Sequence, residues 1–62
     1  MQTAYDVFLN GKEIDTVFYS LHNRKPVPAD EVRNSLINHD GYDASIVVKR
    51  RGKNNRYVET AF

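Results

Sequence analysis

Residues 5–20 read YDVFLNGKEIDTVFYS, and this stretch decides the fold. Residues 5–9 alternate between apolar and other side chains, which predicts a half-buried strand. Asn10 and Gly11 follow at once, and both residue types tolerate the positive φ of a type I′ turn. Residues 13–20 are rich in β-branched and aromatic types and predict a second strand. The chain is therefore expected to begin with a β-hairpin.

A plain two-residue turn also predicts the register of this hairpin. It places Val7 opposite Ile14 and Asp6 opposite Asp15. Two like charges in opposite positions are tolerable only on a solvated face, so the face with the aspartates is expected to point outward. The apolar side chains that share this outer face are Phe8, Val17 and Tyr19.

The rest of the chain predicts one helix and two further strands. Residues 21–28 contain two prolines and predict a loop. Residues 29–39 predict the helix, since carboxylates occupy its first turn and Gly41 suits the left-handed position that ends it. Residues 45–51 predict a third strand, and after a turn residues 56–62 alternate weakly, which leaves a fourth strand and a frayed terminus both open.

The order strand, strand, helix, strand, strand predicts an α+β fold (ββαββ) in which one small sheet packs against a single helix. One domain over residues 1–62 is expected at this length. The fourth strand can pair with the third as a hairpin or insert between the first and third, and the sequence leaves both arrangements open. The expected core consists of Val7, Ile14, Val32, Leu36 and Ile46, with Phe18 beneath the helix.

The composition argues against several classes of protein. The chain has no Cys, so it has neither disulfides nor thiolate zinc sites. No apolar run approaches the roughly 20 residues that a membrane span requires. The N-terminal residues lack a basic segment followed by an apolar one, so no signal peptide is expected. These features predict a cytoplasmic protein without membrane contact.

The leading functional hypothesis is contact with another protein. The chain has more aromatic side chains than one small core needs, and the predicted outer face carries some of them. Exposed apolar clusters of this kind are typical of interfaces. The expected protein-contact residues, in a homodimer or with a different partner, are Phe8, Val17 and Tyr19.

The alternative hypothesis is nucleic-acid contact through a basic hairpin near the C-terminus. This segment combines basic side chains suited to phosphates with one tyrosine suited to base stacking. Strand alternation places Lys49 and Arg51 on one side and Arg50 on the other. The expected contact residues are Lys49, Arg50, Arg51, Lys53, Arg56 and Tyr57.

Catalytic chemistry finds no support in the sequence. There is no G-x-S-x-G nucleophile motif and no glycine-rich phosphate loop. His22 and His39 do not have the spacing of a metal site with the nearby acids. A chain this small also has little room for a concave active site. We therefore expect a non-enzymatic domain without a catalytic residue, metal ligand or cofactor.

Overall fold

Four strands and one helix make up the fold in the computed structural model, which covers residues 1–62. The predicted α+β class and the order ββαββ are confirmed. The elements are β1 Gln2–Leu9, β2 Lys12–Ser20, α1 Ala29–Asp40, β3 Val47–Arg51 and β4 Tyr57–Ala61, with a short 3-10 turn at Lys53–Asn55 before β4. The helix is neither long nor apolar enough to cross a membrane.

The sheet has the order β2-β1-β3-β4, and every neighbouring pair is antiparallel. The last strand therefore forms a hairpin with β3, and it does not insert between β1 and β3. This decides between the two arrangements that the sequence left open. β1 and β3 are the central strands, while β2 and β4 form the edges.

The core lies between α1 and one face of the sheet. Val7, Val32, Leu36 and Ile46 are buried there, as predicted. The complete buried apolar cluster is Tyr5, Val7, Ala29, Val32, Leu36, Ile46, Val48 and Ala61. Because the helix covers only this face, the opposite face of the sheet is left without a covering element.

Both ends of α1 are satisfied by identifiable groups. At the C-terminal end, Gly41 has φ 73°, the left-handed conformation predicted for it. The N–H of Tyr42 then donates to the carbonyl oxygen of Leu36 over 3.0 Å. At the N-terminal end, the N–H of Ala29 donates over 3.0 Å to Oε1 of Glu59, which belongs to β4. The sheet thus supplies a cap that the residues flanking the helix lack.

The first hairpin follows the predicted register only near its turn. Asn10 and Gly11 have φ of 54° and 79°, as a type I′ turn requires. Beyond the turn, a bulge at Ile14 shifts the pairing by one residue. Asp6 consequently lies opposite Thr16, whereas the plain register predicted Asp15.

This shift corrects the predicted core. A one-residue slip moves every later side chain of a strand to the other face. Ile14 and Phe18, which were expected in the core, are 47% and 60% exposed. Val17 and Tyr19, which were expected outside, pack against the core, and the rings of Tyr19 and Tyr5 meet edge to face at 5.7 Å.

Deletion of Ile14 tests the assignment of the bulge. With Ile14 removed, the same two-residue turn generates the observed Asp6–Thr16 and Tyr5–Val17 pairs in an unbroken ladder. We expect the deletion variant to fold and to keep the cross-strand nuclear Overhauser contacts between Tyr5 and Val17. Loss of these contacts in a folded variant would show that another residue carries the bulge.

Candidate functional site

The uncovered face of the sheet is the candidate functional site. Strand alternation and the observed pairing place side chains from all four strands on it. We call this surface the open face, and its principal residues are Ala4, Asp6, Phe8, Thr16, Phe18, Lys49, Arg51 and Tyr57.

A buried carboxylate lies at the centre of the open face. Asp6 on β1 is only 1% exposed, although no helix covers it. Arg51 of β3 donates to both carboxylate oxygens, from Nε over 2.9 Å and from Nη2 over 2.7 Å. Thr16 Oγ1 of β2 donates over 2.8 Å, and the Tyr57 hydroxyl of β4 donates over 2.5 Å. Each of the other three strands therefore contributes one donor residue to Asp6.

The protonation states of these groups reinforce one another. Burial raises the pKa of Asp6, but the hydrogen bonds from Arg51, Tyr57 and Thr16 lower it by more, so the pKa lies below its usual value. The hydrogen bond to Asp6 raises the pKa of Tyr57, and burial adds to this. The carboxylate thus stays ionised, and the tyrosine keeps the proton that it donates.

Aromatic and cationic side chains lie beside this network. The rings of Phe8 and Tyr57 meet nearly perpendicularly, with 6.1 Å between their centroids. Lys49 Nζ lies 4.9 Å from the Phe8 centroid and 5.4 Å from the Tyr57 centroid, within cation–π range of both rings. These three side chains and Arg51 form a mixed aromatic and basic surface.

The structure separates the residues predicted for protein contact. Phe8 lies on the open face, beside Lys49. Val17 and Tyr19 lie on the opposite face, packed against the core, because the bulge at Ile14 reverses the facing of β2. The prediction that Phe8, Val17 and Tyr19 form a single surface is therefore wrong. Phe18, and neither Val17 nor Tyr19, is the aromatic side chain of β2 that shares the open face with Phe8.

The residues predicted for nucleic-acid contact are divided by the sheet. Lys49 and Arg51 reach the open face together, as alternation predicted, and Tyr57 lies on the same face. Arg50 points the other way, and its Nε donates to Glu59 Oε1 over 3.0 Å. The hydrogen bond from the Ala29 N–H and, to a smaller extent, the one from Arg50 lower the pKa of Glu59.

Lys53 and Arg56 belong to the loop between β3 and β4. The loop is held by a hydrogen bond of 2.6 Å from the N–H of Gly52 to the carbonyl oxygen of Arg56. Asn54 and Asn55 adopt positive φ values of 60° and 58° within it. The predicted turn is thus present, with both cations exposed.

The predicted cross-strand position of Asp6 opposite Asp15 is wrong. The bulge places the two residues on opposite faces of the sheet, where Asp15 accepts a short hydrogen bond from the Tyr42 hydroxyl. That hydrogen bond is the main cause that raises the pKa of Tyr42 to about 12. No cluster of three or more His, Asp or Glu side chains is arranged to hold a metal ion.

The largest cavity lies away from the open face. It has a volume of about 750 Å³ and lies beside the loop that joins β2 to α1. Its charged residues include Lys25 and Glu31, of opposite sign, and its apolar lining comes partly from Pro26 and Val27. Its lining carries charges of both signs and so indicates no single class of ligand.

Asp6, Thr16 and Phe18 are the site residues that sequence reasoning missed. Asp6 carries a usable signal, since a carboxylate between Tyr5 and Val7 in a strongly apolar strand requires donors from neighbouring strands. Thr16 and Phe18 could be assigned only with knowledge of the bulge.

No protein-family model matches the chain, and neither a curated protein nor a solved structure shows significant similarity to it.

The Asp6 network predicts a specific loss of stability in acid. Because the folded-state pKa of Asp6 lies below its unfolded value, the contribution is complete above the unfolded pKa and disappears as the pH falls through the folded pKa. Unfolding free energy measured with urea should thus fall below about pH 4. Asp6→Asn should reduce this loss of unfolding free energy in acid more than Asp15→Asn does, although Asp15 also has a lowered pKa. An equal reduction by both variants would contradict the claim that the Asp6 network causes the loss.

Proposed function

We propose that this chain is a non-catalytic binding module whose open face binds single-stranded nucleic acid. The supporting observation is that Phe8, Phe18 and Tyr57 share one uncovered sheet face with Lys49 and Arg51. The aromatic part of one sequence hypothesis and the basic part of the other thus meet on a single surface. Proteins that bind single strands combine the same two features, rings that stack on bases and cations that follow the backbone.

The exposure of the rings supports this proposal. Phe18 is 60% exposed and Tyr57 is 44% exposed, so both present apolar surface to an incoming base. The two ion pairs of the molecule join Arg50 to Glu59 and Arg51 to Asp6. Lys49 and the loop cations are in neither pair and remain available for phosphates.

A single strand fits the open face better than a duplex does. Arg50 lies behind the sheet, so the basic segment does not present a continuous row of cations to a duplex backbone. The only helix begins with Asp30 and Glu31 in its first turn, which repel phosphates. Recognition is expected to depend on stacking and to be largely independent of sequence.

Self-association through the same face is the second candidate function. Phe18 is 60% exposed, and burial against a second copy of the chain would remove this apolar surface from water. This version retains the protein-contact hypothesis with Phe8 and Phe18 as its residues. It predicts a dimer that forms regardless of salt concentration.

The proposal includes a cytoplasmic location. Disulfides are rare in the reducing cytoplasm, and this chain has no Cys and needs none. The proposal also includes the absence of catalysis. It is supported by the Asp6 carboxylate, which is already fully hydrogen-bonded within the open face.

Salt dependence distinguishes the two candidates. Two or three phosphate contacts on a single strand give a log–log salt slope of roughly −1.4 to −2.1. We expect fluorescence anisotropy with a labelled oligothymidylate to show this slope. Changing Lys49 and Lys53 to Glu should abolish the binding, whereas the matched charge change of Arg24 and Lys25 to Glu, in the loop after β2, should have a much smaller effect. A monomer–dimer equilibrium without oligonucleotide binding would favour the second candidate.

A further inference from the structure

A groove opens at one end of the open face, where the loop between β3 and β4 meets the start of β1. Its volume is about 590 Å³, within the range of small-molecule sites. Ala4 forms its floor because it is the smallest side chain in a row that crosses the sheet. Phe18 is paired with Ala4 on one side, and Arg51 lies on the other side, one position beyond the Tyr5–Arg50 pair. We call this depression the Ala4 groove.

The lining of the Ala4 groove has a single sign of charge. Arg51 and Lys53 line it together with Asn55, and none of its lining residues is acidic, whereas the Arg50 guanidinium lies on the opposite face and is paired with Glu59. Phe18 forms the facing wall with most of its ring exposed. The groove thus places an aromatic surface and a cationic surface on either side of a small residue, about two strand spacings, or roughly 10 Å, apart.

We propose that the Ala4 groove holds one nucleotide of the single strand, with its base stacked on Phe18 and its phosphate against Lys53. This inference rests on the proposed function and assigns one nucleotide of the strand to a particular part of the open face. Ala4 leaves room for the plane of a base, and charge complementarity selects a phosphate-bearing ligand.

Asp6 orients Arg51 so that its guanidinium can also donate to the phosphate. A guanidinium has five N–H groups, and the two hydrogen bonds to Asp6 use Nε–H and one N–H of Nη2. The remaining N–H groups stay available to a phosphate in the groove. Because Asp6 fixes the guanidinium, little side-chain entropy remains to be lost when the phosphate binds.

The loop that carries Lys53 also has a defined shape. A Cβ atom on Gly52 would lie 2.5 Å from Cγ1 of Val58, so another residue type at this position would require the Val58 side chain to shift. The hydrogen bond from Gly52 to Arg56 closes this loop, and Lys53 within it lines the groove.

Variants of the groove test the inference by anisotropy with a labelled oligothymidylate of about eight nucleotides at low salt. Phe18→Ala should weaken binding roughly 5- to 150-fold, the effect of losing one stacked base. Lys53→Ala should weaken it several-fold and reduce the magnitude of the salt slope by about 0.7. Ala4→Leu should weaken it without any change in charge, because it fills the floor.

Two matched controls accompany these variants. Lys25→Ala removes one exposed lysine from the loop after β2, and Phe62→Ala removes an exposed phenylalanine beyond β4 at the other end of the sheet. Both should bind like the unchanged protein. Thermal melts of all variants confirm that the comparison is made between folded proteins.

The outcomes separate this inference from the proposed function. If the unchanged protein binds no oligonucleotide at low salt, both are overturned. If it binds, and Lys49→Ala weakens the binding while the groove variants match their controls, the open face keeps its function and the Ala4 groove is not the nucleotide site. If a short polyglutamate binds as tightly as the oligothymidylate and depends equally on Lys53, the groove selects anions, and the nucleotide assignment is overturned.

Discussion

The ionised carboxylate of Asp6 is the interaction on which the open face depends. Burying a charge costs several kcal/mol unless partners replace the lost water. Here the partners come from every other strand, since Thr16, Arg51 and Tyr57 each donate to the same two oxygens. Asp6 therefore holds these three side chains in fixed positions and joins the edge strands to the centre. The same contacts orient Arg51 and Tyr57, two of the residues to which we assign binding.

The bulge at Ile14 makes this arrangement possible. Without it, Asp6 would face Asp15 and the two like charges would repel each other. With it, Asp6 faces a hydroxyl donor, while Val17 and Tyr19 join the core. One inserted residue thus determines both the composition of the core and the chemistry of the opposite face. The hairpin could be predicted from Asn10 and Gly11, but the bulge has no comparable local signal, because it shows only in which face of β2 packs against the core.

The parts of the fold that depend on local chemistry were predictable. Gly41 ends the helix as expected, and the apolar stripe of α1 buries Val32 and Leu36. The helix start shows the limit of this reasoning. Its cap comes from Glu59, thirty residues away along the chain, and only the pairing of β4 with β3 brings that side chain to Ala29. Likewise, the basic segment could be found in the sequence, whereas the pairing of two of its arginines with carboxylates could not.

The Asp6 network joins all four strands of a small domain beneath an aromatic, basic surface. The central claim is that Asp6 is buried and ionised, with donors from the other three strands. The most direct test is a nuclear magnetic resonance titration of the Asp6 carboxyl carbon in the folded protein. We predict that its midpoint lies below the unperturbed value of about 3.9, or is not reached before acid unfolding. A midpoint at or above that value in the folded protein would show a carboxylate without these donors and would contradict the account.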